Sequence, residues 1–162
     1  MNHWLFPDLV AMELLTEAWP DTVRKDLHEL VEKVGGSRAR LWSFEVKLAL
    51  NESNAREAFF QTISNSSWAN YGYLMVAEIS GDGTLEELRV LGGLHGIGLI
   101  RSDVENPSES EILVPARPRP ELDWPSLARL AGENKDMLAF IQAVIDSLKT
   151  GKPAGGQFDY LR

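Results

Sequence analysis

Arg40-Leu41-Trp42-Ser43-Phe44-Glu45-Val46-Lys47-Leu48 alternates apolar with polar side chains almost throughout. A period of two marks a β-strand, whose successive Cβ atoms point to opposite faces. Trp42, Phe44, Val46 and Leu48 therefore fall on one side, and Ser43, Glu45 and Lys47 on the other. Strand-like and helix-like periodicities alternate on either side of this stretch, which predicts a mixed α/β domain.

Upstream, Trp4-Leu5-Phe6 and Leu9-Val10-Ala11-Met12 predict an opening strand interrupted by Pro7-Asp8. Asp21 reads as the cap of a helix over 22–34 with Val23, Leu27, Leu30, Val31 and Val34 as its stripe, ended by Gly35-Gly36. Downstream, Asn54 with Glu57 resembles a helix start, with Phe59, Phe60 and Ile63 as the packing face and Gln61 off it. A buried strand is expected over 73–79, then a Gly81-Asp82-Gly83 turn and a helix capped by Thr84 and Glu87 and packed by Leu85, Leu88 and Leu91.

After Gly92-Gly93, the runs 97–100 and 112–114 read as strands separated by a polar loop at Asn106-Pro107-Ser108. The sheet then has about five strands. Two helices close the fold, one opening at Asp123 and one striped by Leu138, Ile141, Ile145 and Leu148. Residues 1–150 are expected to form one domain, and 151–162 a flexible C-terminal tail.

A chain of 162 residues, 44% hydrophobic, has the content of one substantial core. The lack of cysteine excludes disulfides, thiolate metal sites and cysteine nucleophiles, and favours an intracellular setting. The N-terminus lacks the pattern of a secretory signal, and no segment has the roughly eighteen consecutive apolar residues of a membrane span; a soluble, cytoplasmic protein is expected. A net charge of -8 argues mildly against a nucleic-acid partner. Screening over about 8 Å nevertheless makes the local field at a cleft matter more than the sum. No G-x-S-x-G elbow, Walker loop, H-E-x-x-H or dinucleotide fingerprint is present.

Glu45-Val46-Lys47 is the strongest chemical feature, because two-residue spacing places carboxylate and ammonium on one face of a strand. A divalent ion on carboxylate oxygens polarises a phosphoryl oxygen and acidifies bound water, and a neighbouring lysine stabilises developing charge. The bland reading is a solvated ion pair worth under about 1 kcal/mol.

Phe6-Pro7-Asp8-Leu9-Val10, Ser43-Phe44-Glu45-Val46-Lys47 and Phe59-Phe60-Gln61 followed by Ser64-Asn65-Ser66-Ser67-Trp68-Ala69 resemble the HrgA-like group, itself similar to restriction endonucleases of the PD-(D/E)XK superfamily. The likeness runs from Pro7 to about Ile145, through Gly96-Ile97-Gly98 and Leu122-Asp123-Trp124. It implies a mixed sheet of about five strands flanked by helices, and a metal-dependent endonuclease acting on DNA in restriction or genome defence. By the same resemblance Asp8 and Glu45 are metal ligands, the Val46 carbonyl adds a ligand, Lys47 is the lysine of the Glu-x-Lys motif and Gln61 the helix glutamine beside the site. Magnesium suits these oxygens, with Mn2+ as substitute.

Pro20-Asp21 is a competing Pro-Asp pair, but Asp21 already has a structural task as a helix cap. Relatives of this type carry a DNA-binding portion that would have to lie outside this chain, and double-strand cutters often form homodimers. Arg38, Arg40, Arg56, Arg101, Arg117 and Arg119 are candidate phosphate contacts or ordinary surface arginines; His95 and the Asn65-Ser66-Ser67 run likewise have packing or capping readings. Trp68 reads as core. The alternatives are an inactive nuclease-fold module that binds DNA or a protein, and a structural or oligomerisation domain.

Overall fold

The computed structural model of the protein describes residues 6–159. Trp4 and Leu5 of the expected opening strand lie outside them. Five strands, β1 (Leu9–Leu14), β2 (Ala39–Leu50), β3 (Tyr71–Ile79), β4 (Gly98–Arg101) and β5 (Glu111–Val114), form one sheet in that order. The helices are α1 (Asp21–Val34), α2 (Ala55–Ser66), α3 (Thr84–His95), α4 (Trp124–Glu133) and α5 (Lys135–Thr150). This is the mixed α/β class expected from the alternating periodicities.

β2–β3 and β3–β4 are parallel and β4–β5 antiparallel. Parallel neighbours need a crossover, and α2 and α3 supply the two. Asp8 N–H donates to Phe44 O and Leu15 N–H to Arg38 O; numbers rising on one side against numbers falling on the other make β1 antiparallel to β2. The described residues gather into two compact units, one from 6–11 and 42–126, the other from 12–41 and 127–159.

In the first unit α2 and α3 pack on each other and on the sheet. Leu50, Ala55, Ala58, Phe59, Leu74, Val76, Leu88, Ile97 and Leu99 are buried together between the layers. β2 alternates as the sequence requires, but its burial is the reverse of a simple amphipathic strand. Ser43 and Glu45 are 1% and 2% exposed, whereas Val46 and Leu48 are 37% and 81% exposed. The cause is the crossover: α2 lies over the polar side of β2, while Trp42 and Phe44 use the opposite side to stack with Tyr71 and Tyr73 across the parallel register, Trp42 and Tyr71 at 4.3 Å.

Several local expectations are corrected. Asp21 is the first residue of α1, not its cap, and pairs with Arg24 at 3.1 Å. Thr84 likewise begins α3 rather than capping it, and donates its hydroxyl to Ser80 O at 2.7 Å. Phe60, placed on the packing face of α2, is half exposed, while Phe59 is buried. Gly92 does not end α3: a Cβ there would meet Ile97 O at 2.8 Å, so glycine permits close approach, and the helix stops at Gly96 in the left-handed region with φ 72°.

In the second unit, Gly35 with φ 74° ends α1, as its Gly-Gly pair foretells. Asn134 caps α5 by accepting from Asp136 N–H at 2.8 Å and Met137 N–H at 3.3 Å. The buried face of α5 is Met137, Phe140, Ala143 and Ser147, one position round from the expected stripe, of which Leu138 and Ile145 are exposed. Beyond Gly151, Ala154 N–H donates to Ser147 Oγ at 2.9 Å and the Phe158 ring lies 6.1 Å from that of Phe140. No described helix is long and apolar enough to cross a membrane.

Gly98 faces Tyr73 across β3–β4, and a Cβ there would lie 2.1 Å from the ring. Tyr73 is 5% exposed and its hydroxyl accepts from Ala116 N–H, so the ring has little freedom to yield. Gly98→Ala is expected to cost about 1–3 kcal/mol in urea unfolding, and the cost should shrink in a Tyr73→Leu background. An equal cost in both backgrounds would show that the ring is not the obstacle.

Candidate metal and active site

β2 presents Glu45 and Lys47 to α2. Glu45 is opposite Leu74 in register and Leu74 opposite Leu99, so its carboxylate adjoins the apolar core. Burying a carboxylate without compensation is strongly unfavourable, and two donors meet it here. Lys47 Nζ lies 2.7 Å from Oε1, and Asn65 Nδ2 donates to Oε2 at 3.1 Å. Burial pushes the Glu45 carboxyl above the usual glutamate range, the negative charge of Asp8 adds to this, and the bonds from Lys47 and Asn65 offset it only in part.

Asp8 reaches the same place from the position immediately before β1. Its N–H donates to Phe44 O at 3.1 Å and its Oδ2 accepts from Val46 N–H at 2.8 Å, so it is bonded to both chain neighbours of Glu45. The long separation from Asp8 to Glu45, with α1 inside it, is closed by this strand pairing. Asp21 remains with Arg24 at the start of α1, and the carboxylate whose charge acts on Glu45 is Asp8. The N–H and C=O of a strand residue point to the same flank, so the Val46 carbonyl opens toward the Asp8 side.

Gln61 is half buried on α2, one turn before Asn65. α2 returns antiparallel to β2, and Gln61 lies one turn toward its start on the helix face that carries Asn65. Asn65 is the member whose role its sequence context hides: Asn-Ser-Ser at a helix end reads as local capping. It is 3% exposed and turned toward β2.

The other candidates are elsewhere engaged. His95 packs against Phe59 and Phe60 at 5.9 Å from each ring. Trp68 is fully buried core, donating Nε1–H to Asn65 O at 2.8 Å. Ser67 donates to Asp123, which also accepts from Ser126 N–H at the opening of α4. All six named arginines are occupied: Arg38 with Glu32, Arg40 with Glu13, Arg56 with Glu87, Arg101 with Glu111, Arg117 with Leu94 O and Arg119 with Ser66 O and Ala69 O. Arg119 is partly buried against the end of α2, and burial lowers its pKa. An open cavity of about 350 Å³ at the ends of β3 and β4 is lined by Glu78, Asp103, Glu109, Glu111 and Arg101 among others, and by none of the site residues.

No family model, curated protein or solved structure matches the chain. The chemistry of the site therefore rests on its own residues. Among the described residues no group of three or more His, Asp or Glu side chains is gathered for a metal. Glu45 is paired with Lys47, and Asp8, bonded to Val46 N–H, adds a second carboxylate whose charge acts on Glu45; hard divalent cations prefer such oxygens, and Mg2+ keeps several of its waters where protein ligands are few.

Lys47→Met should lower stability at pH 7 by about 1–3 kcal/mol, less than the roughly 3–5 kcal/mol for breaking a fully buried pair, because the Lys47 side chain keeps 30% exposure. A raised carboxyl pKa makes the folded state the tighter proton binder. Its stabilising contribution is full below the unfolded pKa and is lost as pH rises through the folded one. The deficit of the variant should therefore be largest at neutral pH and close on acidification through the Glu45 titration. Denaturant unfolding from pH 7 to pH 4 measures it; a deficit independent of pH would contradict the pairing.

Proposed function

We propose that this chain is a metal-dependent phosphodiesterase of the PD-(D/E)XK nuclease type, acting on DNA in restriction or another genome-defence setting. The observation that carries the reading is the convergence of Asp8 on both neighbours of Glu45, with Lys47 on the same face as Glu45 and α2 overhead. The resemblance of the Pro7-Asp8, Glu45-Val46-Lys47 and Gln61 motifs to the HrgA-like group supports it, and a cytoplasmic setting accords with it.

Asp8, Glu45 and the Val46 carbonyl would hold Mg2+, or Mn2+ in its place. When bound, that ion supplies Lewis acidity toward a phosphoryl oxygen and acidifies a water. Asp8 is exposed, so its carboxylate opens the site to substrate. Lys47, tied to Glu45 at Oε1, carries an ammonium partly open to solvent that can turn to a non-bridging phosphate oxygen and stabilise charge developing there. Gln61, one turn before Asn65 on α2, would orient the attacking water by hydrogen bonding. Burial of Glu45 beneath α2 keeps water from competing for its oxygens.

The occupied arginines favour one further reading, an inactive nuclease-fold module that binds DNA weakly or binds a protein. Exposed pairs are each worth under about 1 kcal/mol, so phosphate could displace their acids, yet the net charge of -8 leaves little attraction to drive it. Tight DNA binding would then need a DNA-binding portion outside this chain or a homodimer that doubles the contacts.

Calorimetric titration of Mn2+ into the chain should show binding that Glu45→Ala abolishes and Asp8→Asn weakens roughly tenfold or more. Lys47→Ala should retain the ion while losing cleavage of DNA, delivered with a DNA-binding fusion if required. Absence of Mn2+ binding to the unaltered chain would leave the inactive module as the better account.

A further inference from the structure

Asn65 joins the elements that carry the two carboxylates. Its amide nitrogen donates one hydrogen to Glu45 Oε2 and the other to Phe6 O, each at 3.1 Å, which exhausts a carboxamide's two donors. Its backbone carbonyl accepts from Ser43 Oγ at 3.1 Å and Trp68 Nε1 at 2.8 Å, pinning the end of α2 to β2. Phe6 precedes Pro7, which fixes its own φ near −65° and confines the preceding residue to extended conformations. A bond to the Phe6 carbonyl therefore restrains the start of the segment that leads to Asp8, whose own N–H is held by Phe44 O.

We propose that Asn65 is a positioning residue of the candidate site, setting the distance and direction between Asp8 and Glu45 by holding Phe6 O and Glu45 Oε2 with one amide. The proposal rests on the metal-site reading above. It explains why this position is an amide: an aspartate would set a like charge against Glu45 and donate nothing at neutral pH, and alanine would release both partners. Removing Asn65 should let the Phe6–Asp8 segment and the Glu45 side chain move independently, so that affinity for a shared ion falls although both ligands are still present.

Mn2+ binding is followed by electron paramagnetic resonance on the full chain, on Asn65→Ala, and on Phe59→Leu as a control that destabilises the same helix without touching the amide. Asn65→Ser, which keeps a single shorter donor, replaces the alanine variant if that one does not fold. The expected result is affinity at least tenfold weaker for the Asn65 variant and within about twofold of the original for Phe59→Leu at comparable melting temperature. If both variants bind as the original chain does, or weaken in proportion to their lost stability, Asn65 has only a structural role while the metal site survives. Absence of Mn2+ binding in the unaltered chain overturns the metal site and this role with it.

Discussion

A charged carboxylate beneath a helix is the constraint around which the first unit is arranged. Glu45 could be accommodated at 2% exposure only with donors on both oxygens, and they come from two directions, Lys47 from the same strand and Asn65 from the helix above. The apolar side of β2 is thereby displaced to the opposite face, where Trp42 and Phe44 stack with Tyr71 and Tyr73. Gly72 belongs to the same arrangement: a Cβ there would lie 2.3 Å from Ser66 Oγ, so the end of α2 can approach β3 only over a glycine. A leucine at position 45 would remove the need for these donors, since replacing a buried ion pair by an apolar side chain of similar volume is often neutral or stabilising.

Much of the fold was legible in local periodicity. The alternation of 40–48, the helical stripes and the Gly35 stop correspond to β2, the helices and the end of α1. Which face is buried was not legible for β2 or α5, because a period specifies that two faces differ, whereas the layer that covers them decides which goes inside. α2 selects the polar face of β2, and α5 buries Phe140 and Ala143 rather than Leu138 and Ile145. The caps failed for a related reason: Asp21 and Thr84 are good capping types, but each stands one residue inside its helix.

For the site, two-residue spacing was sufficient to place Glu45 with Lys47, since strand geometry does so without help from the rest of the chain. The neighbourhood of Asp8 and Glu45 depends on β1 pairing with β2 across an intervening helix, which no local pattern encodes. Asn65 was hidden for the opposite reason, because its immediate neighbours supply a sufficient local explanation for it. The arginines show how little a count of cations says: each named one is held by an acid or by helix-end carbonyls, so the acidic balance of the chain is not relieved by a free basic patch built from them.

In the proposed function Asp8 and Glu45 act as one centre, and paramagnetic broadening of the 1H–15N spectrum by substoichiometric Mn2+ tests that most directly. The predicted result is early, selective loss of the amide signals of Asp8 and residues 45–47 together with the side-chain amide of Asn65. Broadening that begins instead at Glu78, Asp103 and Glu111, or that spreads evenly over the acidic surface, would contradict it.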